Sequence, residues 1–457
     1  MFKAGFSKVC ISPPVGSPLA GFAARQDVSS GIHDDLFVSA LVLENAESAV
    51  AFVSVDVLAL PGDFVKLVRS SVHDSVGLPP ECIMIACTHT HAGPVTITTF
   101  FNPDESVDQD YMGQLAGNIV ESVTTAWRDR FPARVGIGAG HVEGVGVNRR
   151  SGDQRPIDEE IGIIKVEDGE GIARAVLINY ACHPTVLGPD NLLVTGDFPA
   201  FAIEEIEKAI GPGGFAMFVN GTQGNISMGH SSELSAIGVV TPGRTFERAA
   251  ELGHLLAAST LQALGSIETG DQATLGAASI VIDLPLKKYP SFTETTRLLQ
   301  DAEDHLAQLV ATDGQDIDEL RRAKSEHLYA SITNFYAKEA SAMTDGLLSI
   351  ELQATRINDA VFVAVPAEVF VEIGLRLKRT APHRTFIVGL ANGYIGYLPT
   401  GAAHAVGGYE VVSSKCQPEA EDILTEEVIN LEERVFNDTL RGQEQISERS
   451  PQSNVYR

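Results

Sequence analysis

The sequence has few basic residues, no C-x-x-C cysteine pair and no long apolar run. Its 33 lysine and arginine residues stand against 60 aspartate and glutamate residues, and the formal net charge is −27. This balance argues against a nucleic-acid partner, because binding to phosphate needs a surplus of basic side chains. No run approaches the roughly 20 apolar residues of a membrane span, so we expect no transmembrane segment.

The number and spacing of the cysteines bear on the cellular compartment. There are five of them, an odd number, and their spacing suggests no disulfide framework. This usage is typical of reduced thiols. The first residues also lack the continuous apolar stretch of a secretory signal. We therefore expect a cytoplasmic protein.

Apolar runs alternate with helix-like segments, as they do in α/β proteins. The runs predict buried strands over residues 49–57, 82–87, 173–180, 215–220, 360–366 and 385–390. Helices are predicted over residues 61–76, 199–210 and 244–264. Asp197 is placed to cap the second of these helices. The fold class that follows is α/β.

Three further segments depart from this alternation. Residues from about 291 to 345 are charged and helix-forming, with a break near Asp313-Gly314, and they predict two inserted helices. Whether these helices cover a site or pack elsewhere is open. Residues 441–457 are polar without a pattern and predict a mobile tail behind a domain of residues 1–440. Gly136-Ile-Gly-Ala-Gly140 matches a dinucleotide-binding motif poorly and is interpreted as a turn.

Histidines follow two of the predicted strands. Thr88-His89-Thr90-His91 comes directly after the strand at 82–87, and His183 lies just beyond the end of the strand at 173–180. Residues two apart in an extended chain face the same side, so both imidazoles of the first pair can reach one site. Ligands of α/β sheets gather beyond the carboxyl ends of strands. Three imidazoles at such ends predict a metal or catalytic site.

A glycine-rich loop, Asn220-Gly-Thr-Gln-Gly-Asn-Ile-Ser227, follows the strand at 215–220. Glycines let a backbone approach a ligand closely, and such loops can stabilise an oxyanion. The Gly-Lys-Ser/Thr of a phosphate loop is absent, as are G-x-S-x-G and H-E-x-x-H. The commonest nucleotide-binding, serine-hydrolase and metalloprotease patterns are therefore excluded.

Taken in order, these segments resemble motifs of the neutral/alkaline (non-lysosomal) ceramidase family. The matching segments, which run from about residue 5 to about 425, are Gly31-Ile-His33, Cys87-Thr-His-Thr-His-Ala-Gly-Pro94, Asn148-Arg149, Cys182-His183-Pro184, Thr222-Gln-Gly-Asn-Ile-Ser227, Val365-Pro-Ala-Glu368, Asn392-Gly-Tyr-Ile-Gly-Tyr397 and Tyr409-Glu410. The resemblance implies mixed β-sheets flanked by helices, in a catalytic domain that carries the helical insertion. Because the chain ends soon after the last motif, we expect the catalytic domain alone.

The resemblance also implies a role for individual side chains. The residues that match zinc ligands are His89, His183, Glu368 and Tyr397. The residues that match substrate-side or catalytic positions are His91, which supports the zinc ligands or polarises the substrate, Arg149, which contacts the substrate or oxyanion, Tyr409, which offers a hydroxyl, and Ser227, the proposed nucleophile. The family's aspartate before that serine is Asn225 here. This difference slightly favours attack by a zinc-activated water over attack by Ser227.

The resulting hypothesis is a zinc-dependent amidohydrolase. It would cleave the N-acyl bond of a small soluble or amphiphilic molecule, with Zn²⁺ as cofactor and His91 protonating the departing amine by virtue of a near-neutral pKa. Two alternatives stay open: an ester or lactone hydrolase that uses the same zinc site, and a non-catalytic binding protein on the same fold. Ceramide as the substrate, a role in lipid metabolism and the formation of a homo-oligomer are also left open.

Overall fold

The structure is a computed structural model that describes residues 1–101, 107–150, 156–312, 316–343 and 345–449. Its strands, in chain order, are β1 (Lys3–Cys10), β2 (Gly31–Ile32), β3 (Phe37–Glu44), β4 (Ala49–Val55), β5 (Ile83–Cys87), β6 (Phe131–His141), β7 (Val147–Asn148), β8 (Glu160–Asp168), β9 (Ala173–Tyr180), β10 (Leu193–Val194), β11 (Phe215–Asn220), β12 (Ile226–Ser227), β13 (Leu275–Pro285), β14 (Leu347–Ile357), β15 (Ala360–Val365), β16 (Glu368–Val369), β17 (Arg384–Gly389) and β18 (Tyr397–Leu398).

Helices make up most of the remaining regular structure. They are α1 (Gly62–Val76), α2 (Gln109–Arg128), α3 (Phe198–Ile210), α4 (Ser232–Ala236), α5 (Phe246–Leu264), α6 (Phe292–Val310), α7 (Ile317–Ser341), α8 (Val371–Thr380), α9 (Gly401–Val406), α10 (Tyr409–Val412) and α11 (Ala420–Arg449). No helix within these described ranges is long and apolar enough to cross a bilayer.

Two larger sheets dominate the described part of the chain. The first has eight strands in the order β11-β9-β8-β6-β1-β3-β4-β5, and the second has four in the order β13-β14-β15-β17. Both sheets mix directions: the pairs β4–β5, β9–β11 and β15–β17 are parallel, and the others are antiparallel. The predicted α/β class with mixed sheets flanked by helices is therefore confirmed.

The two sheets pack face to face. A shared core joins them, in which Phe52 of β4 meets Phe362 of β15 edge-on at 5.4 Å between ring centroids. Helices α1 and α2 cover the outer face of the large sheet near β3–β5, and α3 and α5 cover it near β8–β11. Helices α8 and α11 cover the outer face of the small sheet. The molecule thus has four layers, with helices outside and sheets inside.

Strand β6 corrects the interpretation of Gly136-Ile-Gly-Ala-Gly140 as a turn. These residues lie inside an eleven-residue strand paired with β8. A Cβ on Gly136 would lie 2.2 Å from the backbone oxygen of Glu268, so glycine is what lets the segment after α5 pack there. The glycines mark a close backbone approach along a strand, which is the other meaning such residues carry.

The inserted segment forms two helices, α6 and α7, between β13 and β14. The segment predicted as a mobile polar tail has helical backbone up to Arg449, where α11 ends, and its mobility stays a prediction. Its glutamate, glutamine and arginine residues are good helix formers, which explains helical backbone without an apolar pattern. The remaining residues of that expected tail, 450–457, lie outside the described residues.

Candidate metal centre

His89 lies just beyond β5, and its backbone is not extended. Its φ is +71°, and the turn is held by a hydrogen bond from its amide to the Val57 carbonyl at 3.1 Å. The ring Nδ1 is 2.7 Å from the Leu58 carbonyl. Because a carbonyl only accepts, Nδ1 carries the proton and Nε2 is left with a free lone pair. That nitrogen lies 3.4 Å from Oε2 of Glu368.

His183 follows β9 and repeats this arrangement. Its Nδ1 lies 2.7 Å from the Gln223 carbonyl and 3.0 Å from that of Ile226, so it is again the protonated nitrogen. Its Nε2 lies 2.9 Å from Oε2 of Glu368. Burial, and next the charge of Arg149, lower the pKa of His183 to about 4. The ring is therefore neutral at physiological pH and presents its lone pair to the carboxylate.

Glu368 stands at the start of β16 and is almost completely buried. Its second oxygen, Oε1, accepts a hydrogen bond from the Tyr394 hydroxyl at 2.7 Å. Burial opposes ionisation, and positive charge on the His89 and His183 rings, when they are protonated, holds the pKa of this carboxyl well below its usual range; with those rings neutral, a bound cation would have to supply that charge. Glu368 is thus an ionised side chain whose Oε2 is shared by two imidazoles.

Tyr397 lies on β18, which pairs in parallel with β16, and it is the register partner of Glu368 in that pair. Arg149 donates to the Tyr397 hydroxyl at 3.0 Å and to the Gly224 carbonyl at 2.9 Å, and it pairs with Glu410 at 2.9 Å. Burial, and next Glu368, raise the pKa of Tyr397 well above its usual value, while Arg149 acts in the opposite direction. Arg149 therefore holds the hydroxyl of Tyr397, whose ring centroid lies 6.4 Å from that of His183.

His91 completes the cluster, with its ring centroid 4.8 Å from that of His89 and 6.1 Å from that of His183. Neither of its ring nitrogens has a hydrogen-bond partner within the described chain. Gly21 packs directly on the ring, since a Cβ there would lie 2.5 Å from it. Burial, and next His89 and His183, lower the pKa of His91 well below its usual range, which corrects the near-neutral pKa that the sequence suggested.

A cation fits this arrangement of donors. Two imidazole lone pairs face one carboxylate oxygen, and such groups repel one another unless a positive charge lies between them. Ring nitrogens of His89, His91 and His183 lie within 4.8 Å of one another and could hold a metal ion. Geometry alone selects these three imidazoles, whereas the family resemblance selects His89 and His183 with Glu368 and Tyr397. Both sets of candidate ligands contain His89 and His183.

A cavity of about 270 Å³ opens beside the cluster. Among the sequence-predicted residues, His89, His91, Glu368, Tyr397 and Tyr409 line it. The helical insertion contributes as well, since Phe335, Tyr336 and Glu339 of α7 form part of the wall. The insertion therefore lies at the site, which the sequence left open.

Ser227 and Asn225 are placed differently. Ser227 is fully buried on β12, its hydroxyl donates to the His230 carbonyl at 3.1 Å, and it is not among the described residues that line the cavity. The Asn225 side chain accepts from the Val371 amide and donates to Glu372, at the start of α8. The glycine-rich loop binds protein backbone at this point, since the Gly224 amide donates to the Val369 carbonyl at 2.8 Å.

Sequence reasoning gave no role to Tyr394, Glu410 or Lys415. Tyr394 binds Glu368, and Glu410 pairs with both Arg149 and Arg150. The first two residues stand inside motifs quoted for the resemblance, Asn392-Gly-Tyr-Ile-Gly-Tyr397 and Tyr409-Glu410, so the signal was present for them. Lys415 lines the cavity and lies in none of these motifs.

Comparisons with known proteins agree with the motifs. The family model described as neutral/alkaline non-lysosomal ceramidase, N-terminal, matches residues 2–232. The neutral ceramidase of Mycobacterium tuberculosis is 23% identical over 385 residues, covering 72% of this chain and 59% of that protein. The neutral ceramidase of Pseudomonas aeruginosa is 21% identical over 453 residues, covering 86% of this chain and 66% of that protein. The chain thus spans about three fifths to two thirds of these relatives.

A solved structure extends the similarity to the fold. The crystal structure of neutral ceramidase from Pseudomonas aeruginosa superposes with a TM-score of 0.71 and 19% sequence identity. The superposition covers 94% of this chain and 74% of that one. The similarity in fold therefore continues beyond the part that the family model matches.

Proposed function

Because the chain belongs to the neutral/alkaline non-lysosomal ceramidase family, we propose that it is a zinc-dependent amidohydrolase that cleaves an N-acyl bond. The observation that carries the proposal is the pair of imidazole lone pairs, on His89 and His183, that face the ionised Glu368. We place this activity in the cytoplasm, which the five free thiols favour.

The proposed zinc ligands are His89, His183, Glu368 and Tyr397. When bound, such an ion supplies an activated water, with a pKa near 7 in place of about 15.7, and polarises the amide carbonyl. The mixture of two imidazoles and two oxygen donors suits Zn²⁺, which accepts both types. His89 and His183 are each oriented by a backbone carbonyl on the far ring nitrogen, the usual support of a metal-binding histidine.

His91 is the proposed proton carrier. The half-buried His91 lines the cavity, its two ring nitrogens are buried without a hydrogen-bond partner among the described residues, and the ring is neutral. A neutral imidazole can take a proton from the attacking nucleophile and return it to the departing amine. Tyr409 lines the same cavity and offers a hydroxyl to the substrate.

Water is the proposed nucleophile. The Ser227 hydroxyl is bound to the His230 carbonyl and is not found among the described residues of the cavity wall. Asn225 is an amide that binds the start of α8, and it has no carboxylate with which to activate that serine. Arg149 is bound on three sides by protein groups, which supports a role in holding Tyr397 more than in touching the substrate.

Metal analysis combined with an assay tests the proposal. We expect about one zinc per chain in the purified protein, hydrolysis of amides that stops on treatment with a chelator, and recovery on adding Zn²⁺. Substituting one ligand, His89→Ala, should lower zinc content and amide hydrolysis together, the latter by about 100-fold or more. The control is His305→Ala, an exposed histidine on α6.

Two results would overturn the proposal. One is amide hydrolysis that survives complete removal of metal. The other is His89→Ala protein that keeps both its zinc and its rate. If the turnover of esters or lactones exceeded that of amides, the proposed metal site would stand and the proposed reaction would change to ester or lactone hydrolysis.

A further inference from the structure

Within the described part of the chain, two charged side chains line the cavity besides the proposed metal ligands. They are Glu339, on α7 of the helical insertion, and Lys415, three residues after α10. The Lys415 ammonium lies 2.7 Å from Oε2 of Glu339 and 5.2 Å from the centre of the Tyr336 ring. A cavity that bound only neutral apolar chains would not need either charge.

The backbone of Lys415 is held firmly in place. Its carbonyl accepts a hydrogen bond from the Lys287 amide at 2.7 Å, and the next residue, Cys416, forms a β-bridge with Leu286. The preceding carbonyl, that of Ser414, accepts from the Tyr289 hydroxyl and from the Lys287 ammonium. Lys415 therefore projects into the cavity from a fixed point.

The two charges differ in how easily they can leave the cavity. The Lys415 side chain is 18% exposed and lies against an aromatic face, whereas that of Glu339 is 38% exposed. A bound anion could replace Glu339 as partner of the ammonium if the partly exposed Glu339 side chain turns its buried Oε2 toward water. A bound cation would remain beside the ammonium and be repelled. The asymmetry favours an anionic ligand.

The size of the cavity limits what else the ligand can be. Its volume of about 270 Å³ lies below the roughly 300–1,000 Å³ of most small-molecule pockets. It suits a short substrate whose reacting amide and anionic group occupy one chamber. A carboxylate carries a single negative charge, which one ammonium can neutralise through a charge-assisted hydrogen bond.

We propose that Lys415 is a specificity-determining residue that binds a carboxylate on the substrate, so that the preferred substrates are short N-acyl amino acids and related amides. This inference rests on the proposed amide hydrolysis and names the substrate class for the same site. Glu339 competes for the same ammonium and limits how strongly a carboxylate is bound.

The test compares two amides that differ in one group, N-hexanoylglycine and N-hexanoylethanolamine, on the zinc-loaded protein. We expect wild type to favour the glycine amide by about tenfold in kcat/KM, the scale of one charge-assisted hydrogen bond. Lys415→Met should bring this ratio close to 1, mainly by raising KM for the glycine amide. Lys415→Arg should retain most of the preference, and Glu339→Gln should increase it. Exposed Lys288→Met, on the loop after β13, is the matched control and should leave the ratio unchanged.

Binding gives a readout that does not depend on turnover. N-hexanoylglycine should raise the Tm of wild type more than that of Lys415→Met, and N-hexanoylethanolamine should not distinguish the two proteins. Equal kcat/KM values for both amides in wild type, or a preference that persists in Lys415→Met, would overturn the role of Lys415 and leave amide hydrolysis standing. Absence of all amide hydrolysis would instead contradict the proposed function, and the Tm comparison would then decide the carboxylate site by itself.

Discussion

At the scale of single residues, hydrogen bonds on the far side of each ring decide what His89 and His183 can do. Leu58 and Gln223 offer carbonyl oxygens to Nδ1, so Nε2 of each ring faces Glu368 with a lone pair. The spacing of residues in an extended strand predicted that the His89 and His91 rings lie close together, but the chain is not extended at His89. β5 ends at Cys87, and the left-handed backbone of His89 turns the two rings to 85° from one another.

Tyr394 gives the first prediction at this scale. Its hydroxyl is the hydrogen-bond donor to Glu368 Oε1, and burial followed by Glu368 raises the pKa of this tyrosine well above its usual value, so it stays protonated. Tyr394→Phe removes the donor and keeps the ring. We expect zinc affinity or kcat/KM to fall by about 10- to 100-fold, as is usual when the support of a ligand is lost. Zinc titration and an amide assay measure the two effects.

A second tyrosine serves as control for this substitution. Tyr111 on α2 donates to the Ile11 carbonyl at 2.8 Å, away from the cavity. Tyr111→Phe should cost some stability and leave zinc affinity unchanged. If Tyr394→Phe behaved in the same way as Tyr111→Phe, Tyr394 would not be a support of Glu368.

At the scale of elements, the site is assembled where strands of parallel pairs end. His89 follows β5, His183 follows β9, and Glu368 follows β15, each a member of a parallel pair. This rule about carboxyl ends predicted the two histidines from sequence. It could not select Glu368 or Tyr397, because the contact of His183 with Glu368 spans 185 residues and depends on how the two sheets pack.

Apolar runs made most strands predictable, and β6 shows the limit of that signal. Its glycines carry no side chain to give an alternating pattern, and their purpose lies in a neighbour distant in sequence, the segment after α5. Residue 135 also bridges to residue 270, which adds that segment to the edge of the strand. A prediction from local pattern alone interprets such glycines as a turn.

Substitution of Gly136 tests this account of β6. Gly136→Ala would place a Cβ 2.2 Å from the Glu268 backbone oxygen, so strand or segment must shift. We expect the free energy of unfolding to fall by about 1–3 kcal/mol. Gly113→Ala, in the open interior of α2, should instead raise it by roughly 0.5–1 kcal/mol. Chemical denaturation measures both, and a loss at Gly136 no greater than the change at Gly113 would contradict the close approach.

At the scale of the whole molecule, the proposed ligands join the two sheets. His89 and His183 come from the eight-stranded sheet, and Glu368 and Tyr397 follow strands of the four-stranded one. A buried network makes a second connection, in which Arg69 of α1 binds Glu351 and Gln353 of β14. A metal held between the sheets would therefore stabilise the fold as well as the site.

The outer layer adds a dependence of stability on pH. Glu432, on α11, is fully buried against the small sheet, where one carboxyl oxygen accepts from Thr385 at 2.8 Å. Burial raises the pKa of Glu432 from 4.5 to about 7, although Thr385 opposes the shift. The folded protein thus keeps a proton that the unfolded chain loses above its own pKa. Burial of this carboxyl does not lower the free energy of unfolding below about pH 4.5, where the group is protonated in both the folded and the unfolded protein. The destabilisation grows as the pH rises from there to about 7.

Replacing Glu432 with glutamine should remove that cost, because glutamine stays neutral at every pH. Relative to wild type, Glu432→Gln should be more stable by up to about 3 kcal/mol at pH 8, since one pKa unit corresponds to about 1.4 kcal/mol. The advantage should shrink as the pH falls and vanish near pH 4, where both side chains are neutral. Unfolding in denaturant at several pH values measures the difference between the two proteins, in which all other titrations cancel. The exposed neighbour, Glu433→Gln, supplies the control and should show no such trend. A difference that is the same at pH 4 and pH 8 would mean that Glu432 is already ionised in the fold, and the burial of its charge would then need another partner.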